Sequence, residues 1–303
     1  MDAMRFKIWG LLLVGLLLSP AVLLGQNVVK EGAEPQKVTS GYQFTEGPYW
    51  HPDGFLLFSD IPANTIYKWE PGSDKATPYV KPSGHSNGIT ALPNGKLVIA
   101  QHDGMISMID KDRKLHILAK AYHGKRLNSP NDVTVSSDGT IYFTDPPFGV
   151  SDSEKVLSVN GVYMLKRGHD PQLMFDKFKQ PNGIVLSPDE SKVYVNDAAT
   201  GHIEVFDVSD DGSLVNPRHF ASVGPSGDSG AADGMAVDKD GRLYSMGPGG
   251  IHVFNAQGER IQIIDLPARG TNMEWGGQHD KTLFITTPSA VYKLAMNVLG
   301  AQK

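Results

Sequence analysis

Cysteine is absent from the 303 residues, which removes disulfides, thiolate metal ligands and a cysteine nucleophile together. Basic charge is not in excess either. Lysine and arginine total 28 against 33 aspartate and glutamate, a net charge of −5, so there is no electrostatic footprint for nucleic acid and no acidic tail. Amphipathic helix patterns of useful length are missing, and no Gly-x-Ser-x-Gly elbow supports serine-hydrolase chemistry. The Gly247-Pro248-Gly249-Gly250 run lies between strand-like segments rather than before a helix, which rules it out as a phosphate loop. The acidic cluster from Asp207 to Asp211 is too short for an EF-hand and reads as a solvated turn.

Long apolar runs are also lacking, with one exception. Arg5 and Lys7 precede an apolar stretch from Ile8 to Gly25, broken by Ser19 and Pro20, which reads as an export signal over residues 1–26. The alternative reading is an uncleaved anchor, since the run is close to the ~18 residues at which spanning becomes possible. Either reading puts the folded domain outside the cytoplasm, periplasmic or secreted, with no membrane contact once the signal is removed. Residues 27–36 read as a short leader, and 37–303 as one domain.

Glycine and proline are plentiful, at 33 and 20 residues, as suits many short strands joined by turns. The stretch from Leu127 to Gly149 shows the pattern. Val133 and Val135 alternate with polar residues, Ser136-Ser137-Asp138-Gly139 makes a turn, and Ile141 and Phe143 continue in a second strand. Asn131 opens this hairpin and Asp145 closes it, which predicts the two side by side on one rim.

The arrangement recurs six times, opening at Glu46, Asn87, Asn131, Asn182, Asp233 and Asn272, with spacings of 41, 44, 51, 51 and 39 residues. Most copies are followed by a further strand, such as Ile66-Tyr67-Lys68-Trp69 or Val291-Tyr292-Lys293-Leu294. Units of about 40–50 residues with three or four strands each predict an all-β fold, a six-bladed β-propeller. The strand from Lys37 to Phe44 precedes its blade. It is expected to complete the last blade from outside and so close the ring.

The first strand of each blade lines the channel of a propeller, so the six opening residues form a ring. Two carboxylates and four amides make a set of hard oxygen donors suited to Ca²⁺ and poorly suited to Zn²⁺. A simpler reading treats Asn-Gly and Asp-Gly as local turn chemistry. It is weakest for Glu46, because glutamate is a poor turn residue and a carboxylate in a narrow channel needs a cation or a proton. Asp60, His102, Asp145 and Asp197 close the second strands and are expected beside the ring, Asp60 and Asp197 as partners of exposed backbone. His102 pairs across its hairpin with Asn87 and is a candidate donor or proton carrier. His85, two residues before Asn87, reads equally well as a surface histidine.

At this point the chain resembles a known family. Phe44-Thr45-Glu46-Gly47-Pro48, Asn128-Ser129-Pro130-Asn131-Asp132, Gln180-Pro181-Asn182-Gly183, Ala232-Asp233-Gly234-Met235 and Thr271-Asn272 are similar to segments of the gluconolactonase and senescence-marker-protein (regucalcin) family. The run through Phe143-Thr144-Asp145-Pro146-Pro147-Phe148-Gly149 resembles its bacterial gluconolactonase branch. The resemblance extends from about Lys37 to Leu294 and implies a six-bladed propeller. It also implies a central divalent metal, usually Ca²⁺ with Zn²⁺, Mg²⁺ or Mn²⁺ as alternatives, held at positions matching Glu46, Asn131, Asn182 and Asp233. Animal members carry an arginine where this chain has Ser129, so their sugar contacts do not transfer. The expected activity is hydrolysis of a sugar lactone such as glucono-1,5-lactone. Asp233 is the candidate for orienting or deprotonating water, and Asn87, His102, Asn131 and Asn272 are the candidates for contact with the substrate. A phosphotriesterase-like propeller and a non-catalytic exported calcium-binding propeller are the rival readings. Nothing in the sequence reports an oligomeric state.

Overall fold

The computed structural model describes residues 27–227 and 230–301. The expected export signal, and two residues of the Gly224–Gly230 loop, lie outside them. Six four-stranded antiparallel sheets follow one another around an axis. The innermost strands are Thr45–His51, Ser86–Ala91, Val133–Val135, Pro181–Leu186, Met235–Val237 and Met273–Gly276, one at the start of each expected repeat. Among the described residues the only helical segment is a 3₁₀ turn at Gln278–Asp280.

Strand alternation sets the packing. Each sheet presents apolar side chains on both faces, and neighbouring blades enclose them in six buried clusters. At the join between the last and first blades, Leu56, Phe58, Trp69, Phe284 and Val291 are buried together. Trp50 stacks on Phe284 there, with ring centroids 4.9 Å apart. The ring closes as expected: Gln36–Ser40 pairs antiparallel with Ala290–Ala295 as the outer strand of the sixth blade. The strand ends at Ser40 rather than Phe44, because Gly41 takes a φ of 102° and turns the chain toward the first blade.

Residues 27–36 are more than a leader. Val28 is fully buried, its carbonyl accepts from the Asn297 amide at 2.8 Å, and Val29 bridges to Met296. The turn residues behave as their chemistry requires in most blades. Gly54, Gly95, Gly139 and Gly241 all take positive φ, but the fourth blade uses Glu190 at φ 57°. Its carboxylate accepts from the Ser137 amide at 2.8 and 3.0 Å and from the Ser137 hydroxyl at 2.7 Å, tying the fourth blade to the third.

Candidate functional site

The glycines that follow the ring residues are set by packing between blades. A Cβ on Gly47, which sits at φ 49°, would collide with the Asn87 carbonyl, and one on Gly183 with the Asp233 carbonyl. The innermost strands therefore approach the axis so closely that only glycine fits. The carbonyls of the ring are then riveted by the blade before. Ser59 Oγ donates to Asn87 O at 2.8 Å, Thr144 Oγ1 to Asn182 O at 2.7 Å, and Asn196 Nδ2 to Asp233 O at 2.6 Å. Inter-blade hydrogen bonds thus hold the main chain at Asn87, Asn182 and Asp233, while at Glu46 the local chemistry is also present, Oε2 accepting from Gly47 N at 2.9 Å. Ser59, Thr144 and Asn196, each one residue before a strand end, are functional supports that the sequence reading did not single out.

These strands place Glu46, Asn87, Asn131, Asn182 and Asp233 around one cavity of ≈ 350 Å³ at one mouth of the channel. His102 lies on its wall, with Phe44, Ile61, Pro62, Phe148 and Arg269. The six ring residues are buried. Their side chains form a chain of contacts: Asn87 Nδ2 donates to Asn131 Oδ1 at 2.5 Å, and Asn131 Nδ2 to Asn182 Oδ1 at 2.6 Å. Asn182 and Glu46 in turn hydrogen-bond the Asp233 carboxyl. His102 Nε2 sits 3.3 Å from Asn87 Nδ2 and 3.4 Å from Asn131 Oδ1.

The electrostatics follow from burial. Desolvation raises both the Glu46 and the Asp233 carboxyl well above the usual range, and for Glu46 the neighbouring Asp233 adds to the effect. Arg269, whose guanidinium is 3.9 Å from Asp233 Oδ2, opposes the rise at Asp233. Desolvation lowers the His102 imidazole, so it is neutral at pH 7. Two adjacent buried carboxyls therefore hold a proton unless a cation replaces it.

Not every expected residue reaches the cavity. Asn272 belongs to the ring, but its Oδ1 accepts from its neighbour Met273 N at 2.8 Å and its side chain also hydrogen-bonds Glu46. It faces the other mouth of the channel, a cavity of ≈ 910 Å³. Of the strand-end residues only His102 lines the site. Asp60 accepts from the amides of Gln43 and Phe44 at 3.1 and 3.0 Å, and Asp197 from Lys179 at 2.6 Å and Gln180 at 3.4 Å. Asp145 accepts from the Asn128 amide at 2.9 Å, so its carboxylate turns away from Asn131 rather than lying beside it. These three aspartates share one task, holding the segment that leads into their own blade. His85 is a partly exposed residue paired with Asp103 at 2.8 Å. Ser129 does not line the cavity. Its hydroxyl donates to Pro146 O at 2.7 Å and accepts from Gly149 N at 2.8 Å, pinning the loop that carries Phe148.

Arg269 was not visible as a site residue in the sequence. Its place three positions before Asn272 gives no signal of its own, since Lys179 stands at the same offset from Asn182 and does not line the cavity.

The donor set fits a hard divalent cation. Two carboxylates, the amides of Asn131 and Asn182, and the Asn87 Oδ1 atom, buried without a hydrogen-bond partner, converge on one cavity. A cation would compete with these amide–amide bonds for the oxygens of Asn131 and Asn182. Among the described residues no cluster of three or more His, Asp or Glu offers a rival centre.

Comparisons with known proteins agree with the fold. The SMP-30/Gluconolactonase/LRE-like region matches residues 44–289. A gluconolactonase from Zymomonas mobilis is 35% identical over 291 residues, covering 87% of this chain and 81% of its own. Regucalcin from Homo sapiens is 25% identical over 252 residues, covering 80% of this chain and 82% of its own. The structure of a gluconolactonase from Xanthomonas campestris superposes with a TM-score of 0.80 at 32% identity, over 89% of this chain and 91% of that one.

Proposed function

Because the chain belongs to the SMP-30/gluconolactonase/LRE-like family, we propose that it hydrolyses sugar lactones at the cavity around Glu46 and Asp233, with a divalent cation, Ca²⁺ first, as cofactor. The observation that carries the proposal is the pair of buried carboxyls in a ring of amides, open to a cavity sized for one small molecule. Glu46, Asn131, Asn182 and Asp233 would hold the cation, which supplies Lewis-acid polarisation of the lactone carbonyl.

The chain's own residues supply the rest. Asp233 holds and orients the attacking water and takes its proton as the water oxygen bonds to the carbonyl carbon. The ring carbon–oxygen bond then breaks, and the proton passes to the departing ring oxygen, which becomes a hydroxyl of the aldonic acid. Asn87 and the neutral His102 imidazole offer hydrogen bonds to sugar hydroxyls on one side of the cavity. Phe44, Ile61, Pro62 and Phe148 cover the apolar face of the sugar and reduce access of other water. Asn272 keeps Glu46 in place from below. The reading places the enzyme outside the cytoplasm, an inference that rests on the apolar run from Ile8 to Gly25 and is checked by cell fractionation.

Asp233→Asn tests the assignment. Loss of a positioned base predicts a fall in kcat of about 10²–10⁴-fold. Retention of near wild-type turnover with metal bound would remove Asp233 from that role.

A further inference from the structure

We propose that Arg269 forms an anion subsite, and that the preferred substrate is a sugar lactone carrying a carboxylate or phosphate remote from the scissile ester. The inference rests on the lactonase reading above and narrows its substrate class.

Among the described residues Arg269 is the only permanently cationic side chain lining the cavity, 44% exposed at its mouth. Its nearest anion among the described residues, Asp233 Oδ2, is 3.9 Å away, beyond hydrogen-bond reach, and the guanidinium makes no hydrogen bond to any of them. A fork of five donors is therefore presented to whatever enters. The segment behind it is rigid. Thr271 Oγ1 donates to Thr45 O at 2.8 Å, Thr271 N to Thr286 O at 2.9 Å, and Thr271 O accepts from Gly234 N at 2.8 Å. Gly270 packs so closely on Met246 that a Cβ would strike its sulfur. The arginine is thus held on a fixed support three residues from the ring, as a binding group requires.

The guanidinium gives the sign of the ligand. Apart from Glu46 and Asp233, which would face the cation, the described lining of this cavity is amide, imidazole, hydroxyl and hydrocarbon, so Arg269 is the group there that can select for an anion. A guanidinium pairs with carboxylate or phosphate oxygens in a bidentate geometry that a neutral sugar hydroxyl cannot match. With the reacting ester held beside Glu46 and Asp233, the anionic group would meet the guanidinium on the Asp233 side of the cavity.

Matched substrates test the proposal. D-glucaro-1,4-lactone against D-glucono-1,4-lactone isolates a carboxylate, and 6-phosphoglucono-1,5-lactone against glucono-1,5-lactone isolates a phosphate. In at least one pair the wild-type kcat/KM should favour the anionic member by tenfold or more, and the pair that shows it identifies the anion. Arg269→Gln should reduce that preference by roughly 10- to 150-fold, the range of one charged hydrogen bond, and Arg269→Lys should restore part of it. Calorimetric titration of the calcium-loaded protein with D-glucarate, 6-phosphogluconate and D-gluconate should show the same order, lost in Arg269→Gln. Equal efficiency within both pairs would overturn the proposal. So would a variant that lowers both members in proportion, the result expected of a simple counterion to Asp233. If no lactone is hydrolysed the functional reading fails, and the calorimetric preference alone then decides for or against the subsite.

Discussion

Replacement of Asp145 by asparagine should flatten the dependence of stability on pH. The carboxylate is buried, and burial pushes its pKa up to about 7, opposed by the amides of Asn128 and Ser129 and more weakly by Arg126 and Lys155. Oδ2 accepts from Asn128 N at 2.9 Å, while Oδ1 is buried with no partner. In the unfolded chain the same group titrates near 3.9. Between about pH 4 and pH 7 the folded protein therefore holds a proton that the unfolded chain has released. Stability falls as pH rises through this window and is flat above it. At about 1.4 kcal/mol per unit, a shift of three units costs roughly 4 kcal/mol above pH 7, an upper bound because a buried carboxylate relaxes on ionising.

Asparagine keeps the shape and the acceptor for Asn128 but cannot titrate. Equilibrium urea unfolding at pH 5 and pH 8, with chelator present, would measure the difference for wild type and for Asp145→Asn. The wild type should lose stability from pH 5 to pH 8, and the variant should lose about 1–3 kcal/mol less, since about two of the roughly three pH units separating the unfolded and folded pKa fall in this window. Glu46 and Asp233 act in the same direction and are common to both proteins, so the comparison isolates Asp145. Parallel curves for the two proteins would refute the reasoning.

Other outcomes follow from the same structure. Gly47→Ala should cost about 2–5 kcal/mol, from left-handed strain and overpacking against the Asn87 carbonyl, and is read as lost soluble yield or a lowered urea midpoint. Ser59→Ala leaves the buried Asn87 carbonyl without its hydroxyl partner and should cost about 1–3 kcal/mol by the same assay. Calcium at a hundred times its Kd should stabilise by about 2.7 kcal/mol and raise Tm by roughly 5–10 °C, an effect absent from Glu46→Gln. Calcium should also bind more weakly at pH 5.5 than at pH 8 and release protons on binding near pH 6.5, because the raised Glu46 and Asp233 carboxyls must ionise to accept it.

The fold was legible because its repeat is written in strand alternation and turn residues. Six polar openings at nearly even spacing located the six innermost strands and the outer strand that closes the ring. Burial of the two carboxylates also followed from the pattern. What the pattern could not give was the direction of each side chain at a strand end. The regular ladder of the third-blade hairpin stops at Val133 opposite Phe143, Asn131 N bonds to Thr144 O instead, and Asp145 turns to the amide of Asn128, seventeen residues back. Asn272 occupies a ring position and still serves Glu46 from the other mouth, because its Oδ1 is taken by the next amide. The Ser59, Thr144 and Asn196 rivets act across blade boundaries, where sequence spacing carries no information. Arg269 sits in a loop outside the repeat, and only the three-dimensional ring brings it to Asp233.

The central claim is that this ring is a metal-dependent lactone-hydrolysing site, and one assay tests it most directly. The purified domain, from about Asn27 onward, would be given glucono-1,5-lactone with a pH indicator, correcting for spontaneous opening, before and after chelation and after calcium is restored. The account predicts turnover that disappears with chelator and returns with calcium, and that is absent from Glu46→Gln. Turnover unchanged by chelator, or equal in Glu46→Gln, would contradict it.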